Sequence, residues 1–105
     1  MLRSPDGAAN PYLVIAACLA AGLEGIEKQM QPPESMEAVV EQSLRSETLP
    51  RTLHEAVSQF KKDTFLQEAI GNHISEHLIR TKDEEWNEYC KQVTTWEKER
   101  YLGTV

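Results

Sequence analysis

Leu2-Arg3-Ser4-Pro5-Asp6-Gly7-Ala8-Ala9-Asn10-Pro11-Tyr12-Leu13 decides how the rest of the chain is read. Asp6 after Pro5 suits a tight turn, and the turn feeds a helix start. The Asn10 side chain can accept a hydrogen bond from the first free amides. Pro11 takes the first helical position, where no backbone N–H is needed. From Tyr12 to Leu23 the helix is then apolar on every side. Such a helix cannot face water and is expected to be buried all round. A polar turn feeding such a helix reads like the interior of a larger protein.

Outward from that stretch, the first helix is expected to run from Pro11 to about Met30 and to stop before Pro32-Pro33. Met36, Val39, Val40 and Leu44 have helical spacing, and Ser46 to Arg51 read as a loop. Thr52-Leu53-His54-Glu55 is a capping box, with Leu53, Ala56, Val57 and Phe60 on one apolar face behind it. Lys61 and Lys62 close that helix where positive charge suits the dipole. Asp63 can cap a short helix ended by Gly71. A long amphipathic helix from Asn72 to about Val93 puts Ile74, Leu78, Trp86, Tyr89 and Val93 on one stripe. Thr94-Thr95-Trp96-Glu97 is a second capping box, starting a terminal helix that ends near Leu102. Any strand is confined to the residues before Pro5. The chain reads as all-α, with about four to five helices.

Composition narrows the function classes. The chain has 105 residues, 40% hydrophobic and 27% charged, as suits one soluble helical unit. A net charge of −6 offers no basic stripe for phosphates, so nucleic acid is not an expected partner. The apolar run from Tyr12 to Leu23 is shorter than the roughly 20 residues that span a bilayer, and nothing has the order of a secretory leader. Cys18 and Cys90 form no Cys-x-x-Cys pair and read as reduced thiols in a cytoplasmic protein. His73-Ile74-Ser75-Glu76-His77 matches H-x-x-E-H, a zinc-hydrolase pattern, with Glu84, Glu85 and Glu88 as nominal further ligands. Five residues on an ordinary amphipathic helix favour the plainer reading, in which both histidines border the packing interface. Trp86, Tyr89, Trp96 and Tyr101 stand among glutamates, which disfavours a platform for bases and favours packing against a partner helix.

Arg-x-Pro-Asp-x-x-x-Asn-Pro-Tyr-Leu followed by Ala-Ala-Gly-Leu-Glu-Gly-Ile resembles the C-terminal part of the catalytic domain of glutamine synthetase. Leu49 to Ala56, Lys82 to Val93 and Trp96 to Leu102 fit the same family in order, and the bacterial type I enzymes are the most similar. The resemblance implies that residues 1–105 are the C-terminal helical portion of an α+β catalytic domain, an all-α fragment with residues 94–105 as a helical tail. It implies a parent that phosphorylates the glutamate side-chain carboxylate with ATP and lets ammonia displace the phosphate. Two divalent ions, Mg²⁺ or Mn²⁺, would serve that chemistry.

The family pattern here is Glu-x-Arg-x-Pro-Asp, in which the glutamate binds metal and the arginine holds the substrate glutamate's carboxylate. Arg3 matches the arginine, and its guanidinium fork suits a carboxylate. Met1 stands where the metal glutamate would be, and a thioether is a poor ligand for Mg²⁺ or Mn²⁺. No metal ligand and no catalytic residue is therefore expected within this chain, which is expected to lack ligase activity by itself. By its place, the tail with Trp96, Tyr101 and Leu102 would reach a neighbouring subunit of a double-ring dodecamer. Related ligases that join glutamate to amines or polyamines share the pattern. From the residues alone, a non-catalytic helical interaction module that self-associates is the rival reading.

Overall fold

The computed structural model describes residues 4–33 and 48–103. They form five helices: α1 (Pro11–Glu27), α2 (Leu53–Lys62), α3 (Thr64–Ile70), α4 (Asn72–Cys90) and α5 (Thr95–Tyr101). No strand occurs among the described residues. The helix expected over Met36–Leu44, and any strand over residues 1–3, lie outside them.

Side-chain caps set where four of these helices begin. Asn10 Oδ1 accepts from the Tyr12 amide at 3.0 Å, Thr52 Oγ1 from Glu55 at 3.1 Å and Asp63 Oδ1 from Leu66 at 3.0 Å. Thr94 Oγ1 accepts from Glu97 at 3.2 Å. Each satisfies an amide that the first helical turn leaves without a partner. Gly71 starts α4 with no side-chain cap. Its φ of 109° is a backbone conformation that residues with a Cβ avoid.

α2, α3 and α5 end where expected, at Lys62, before Gly71 and near Leu102, while α1 and α4 end early. α1 stops at Glu27, three residues before Met30. The Gln29 amide donates to the Ile26 carbonyl at 3.2 Å and the Met30 amide to the Gly25 carbonyl at 2.9 Å. Those two bonds form a Schellman closure around Gln29, whose φ of 48° is left-handed. Glycine is the usual signal for that conformation, so the stop had no marker in the sequence. α4 ends at Cys90, not Val93, four residues before Thr94, which is extended (φ −75°, ψ 157°) and caps α5.

Packing runs α1 on α3, α3 on α2 and α4, and α2 on α4, while α5 packs on none of the other described helices. The α2–α3–α4 corner is stitched by polar groups. Gln67 Nε2 donates to the Phe60 and Lys61 carbonyls at 2.7 and 3.0 Å, satisfying the end of α2. Ser75, 1% exposed, donates its hydroxyl to the Gln67 carbonyl at 2.9 Å at the end of α3. Of the expected stripe on α4, Leu78 and Trp86 are half-buried. Ser75 and Leu78 face inward, while Ile74 and Tyr89 are exposed. Lys61 and Asp83 add an ion pair at 2.8 Å across α2 and α4. Lys28 and Glu24 pair at 2.6 Å on the surface of α1, and the hydrogen bond and charge of Glu24 raise the lysine's pKa above its ordinary value. So exposed a pair adds little to stability.

Among the described residues, Val57 (6% exposed) is the one buried apolar side chain. The radius of gyration is 18.0 Å, against about 13 Å for a compact domain of about 100 residues. The expected burial of α1 on every side is not met within this chain. Leu13, Val14, Ala17 and Ala20 are half-buried, no α1 residue is fully buried, and Tyr12, Ile15, Leu19, Leu23 and Ile26 are exposed.

Candidate functional site

Arg3, the residue with a specific substrate role in the resemblance, lies outside the described residues, as does Met1. The turn that follows Arg3 is described. The Asp6 carbonyl accepts from the Ala9 amide at 3.1 Å and the Asp6 carboxylate from the Ala8 amide at 3.4 Å. The Asn10 cap then fixes the start of α1. Asp6 and Asn10 are thus structural, as the turn chemistry implied.

The His73/His77 pair is on α4 with both residues exposed, and His77 lies at the border of the cleft between α1 and the α3–α4 side. Ser75 takes the inward position between them, since residues two apart on a helix do not share a face. His77 Nδ1 lies 3.3 Å from Arg80 Nη2. Among the described residues no three His, Cys, Asp or Glu side chains are grouped to hold a metal ion. Cys18 and Cys90 are free and exposed.

A ring cluster joins α2 to α4. His54 stacks on Trp86 with centroids 6.0 Å apart and planes 25° apart, and Trp86 meets Tyr89 at 5.6 Å. The two rings, with Arg51, Thr52 and Glu88, line a shallow cleft of about 670 Å³. His54 was not singled out from sequence; its one signal was its position two residues into a capped helix whose neighbours face α4. A second cleft of about 1020 Å³ lies between the start of α1 and the α3–α4 side, with Leu13, Phe60, Leu66 and Leu78 in its wall. On α5, Trp96 and Tyr101 meet edge-on at 6.1 Å, and both are exposed together with Leu102. The three side chains assigned to subunit contact are therefore open to solvent in this chain.

The turn before α5 carries the full reciprocal cap. The Thr94 amide donates to Glu97 Oε2 at 2.7 Å, and the Thr94 hydroxyl lies 2.9 Å from the same oxygen. The backbone bond first, then the hydroxyl, hold the Glu97 carboxyl below its ordinary pKa. A lowered carboxyl pKa stabilises the cap above the ordinary carboxylate range, and that support is lost as pH falls through the lowered value. Thr94→Ala is expected to return the Glu97 pKa toward the ordinary range and to fray α5, both readable by NMR titration of the carboxyl and amide exchange. An unchanged Glu97 titration in the variant would contradict the cap.

Comparison with known proteins places this geometry. Residues 2–101 match the family described as "Glutamine synthetase, catalytic domain". The chain belongs to that family. It is 41% identical to glutamine synthetase of Thermotoga maritima over 107 residues, covering 95% of this chain and 24% of that protein. The Thermus thermophilus enzyme is 39% identical, with 98% and 25% covered, and that of Methanosarcina mazei 41%, with 99% and 25% covered. The solved structure described as "Apo GmaS without ligand" superposes with a TM-score of 0.81 at 41% identity, over 96% of this chain and 24% of its own. The helical arrangement is therefore one found inside the glutamine synthetase catalytic domain. The chain spans about a quarter of the length of the curated relatives it matches. Among the described residues no helix is long and apolar enough to cross a membrane.

Proposed function

We propose that the chain supplies the C-terminal helical portion of an ATP-dependent glutamate–ammonia ligase and works in the cytoplasm. The observation that carries this reading is the family match over residues 2–101, joined to helices whose apolar faces the chain does not itself cover. The parent activity is glutamine formation through a γ-glutamyl phosphate. Arg3 is the one residue here with a direct substrate role, pairing its guanidinium with the glutamate carboxylate. Residues 94–105 serve as the tail, offering Trp96, Tyr101 and Leu102 to a neighbouring subunit of the double ring.

ATP and the divalent ions, Mg²⁺ or Mn²⁺, are held by residues of the catalytic domain beyond these 105. The likeness to relatives named glutamine synthetase supports ammonia as the nitrogen donor. A chimera tests the proposal: this chain replaces the matching quarter of the Thermotoga maritima enzyme, joined so that a glutamate stands at the place of Met1. Glutamine formation within about tenfold of the unaltered enzyme is expected. A soluble, assembled chimera without activity would refute the reading.

A further inference from the structure

Residues 4–10 lead from Arg3 to the start of α1 at Pro11, and restraints run along the whole stretch. Ser4 precedes a proline, which keeps its backbone out of the helical region, and the Pro5 ring fixes its own φ. Asp6 then closes a turn twice over. Its carbonyl accepts from the Ala9 amide at 3.1 Å and its carboxylate, more loosely, from the Ala8 amide at 3.4 Å. Asn10 ties that turn to the helix, accepting from the Tyr12 amide through its side chain and from the Val14 amide through its carbonyl, both at 3.0 Å. α1 is seated in turn on α3. Each of these hydrogen bonds joins near neighbours in the chain, and none depends on a face that other polypeptide would cover.

We propose that Asp6 and Asn10 are positioning residues for the glutamate site: by locking the turn to α1 they fix the direction in which the chain leaves toward Arg3. The inference rests on the ligase reading, in which the Arg3 guanidinium holds the substrate glutamate's carboxylate. A guanidinium fork accepts a carboxylate at two points only over a narrow range of approach. A misplacement of about 1 Å in a site can cost on the order of 100-fold in rate. Neither Asp6 nor Asn10 touches substrate in this role. Loosening the turn leaves the fork intact and spreads it over more positions, so the penalty falls on glutamate and spares ATP.

The test uses the chimeric ligase described above. Asp6→Ala and Asn10→Ala are each expected to lower kcat/KM for glutamate about fivefold, with the KM for ATP within about twofold of the parent. Asp6→Asn and Asn10→Ser keep a side-chain acceptor, and both are expected to stay within about twofold of the parent. In an Arg3→Ala background, Asp6→Ala should cost less than about twofold more, since its effect passes through the arginine. Four results would overturn the proposal while the chimera stays active and the ligase reading stands: no loss from either alanine, an equal loss for both substrates, an equal loss with and without Arg3, or no rescue by Asp6→Asn and Asn10→Ser. A soluble, assembled chimera that is inactive with Asp6 and Asn10 in place removes the ligase reading, and this inference with it.

Discussion

Val57→Asp is expected to destabilise the α2–α4 pair strongly. Val57 is the one apolar side chain that the described residues bury, on the inward face of α2 against α4. A carboxylate there has no cation aimed at it, since Lys61 is already paired with Asp83. An unpartnered charge at a buried position costs about 3–5 kcal/mol, a large part of the 5–15 kcal/mol that stabilises ordinary domains. Few other buried groups offset the loss here. At roughly 4–8 °C per kcal/mol for a chain of this size, the melting midpoint should fall by at least about 12 °C. Loss of the Trp86 near-UV signal should accompany it, because His54 and Tyr89 would no longer hold that ring in a fixed setting. Val57→Ala, which removes methyl groups and adds no charge, should cost much less. A cooperative melt within a few degrees of the parent for Val57→Asp would show that α2 and α4 are held by something else.

Arg3→Ala carries the largest expected effect on activity, and the chimeric ligase is the place to measure it. A two-point guanidinium–carboxylate pair removed from a closed site costs about 2–5 kcal/mol, or roughly 30-fold to several thousand-fold. The loss should fall on kcat/KM for glutamate, while the KM for ATP stays within about threefold. Arg3→Lys should recover only part of it, since an ammonium keeps the charge and loses the fork. An equal loss for both substrates would mean that Arg3 acts on folding or assembly and has no carboxylate to hold.

Helix starts were legible because each is written locally. Asn10-Pro11, Thr52 with Glu55, Asp63, and Thr94 with Glu97 each place an acceptor beside amides that need one. The ends of α2, α3 and α5 were legible too, at Lys62, before Gly71 and near Leu102, whereas those of α1 and α4 were not. Gln29 adopts a left-handed conformation without being glycine, and α4 stops at Cys90, four residues before the α5 cap at Thr94. The inward face of α4 was legible in part: Leu78 and Trp86 are half-buried as expected, but at its start a serine, not Ile74, fills the tight place beside α3. The His54–Trp86 stack joins residues 32 apart in sequence, and no spacing pattern announces such a pair. For the substrate site the residues alone were silent. An arginine before a proline turn has no chemistry of its own, and only the resemblance of the surrounding motif gave Arg3 a role.

The exposed stripe of α1 and the one buried apolar side chain among the described residues accord with the proposal that these helices present faces to the rest of a glutamine synthetase catalytic domain. On the same proposal, the metal- and nucleotide-binding side chains belong to that remaining part. The most direct measurement is glutamine formation by the purified 105-residue chain, supplied with glutamate, ammonia, ATP and Mg²⁺ or Mn²⁺. No product above the protein-free background is predicted. Sustained, protein-dependent turnover would contradict the account.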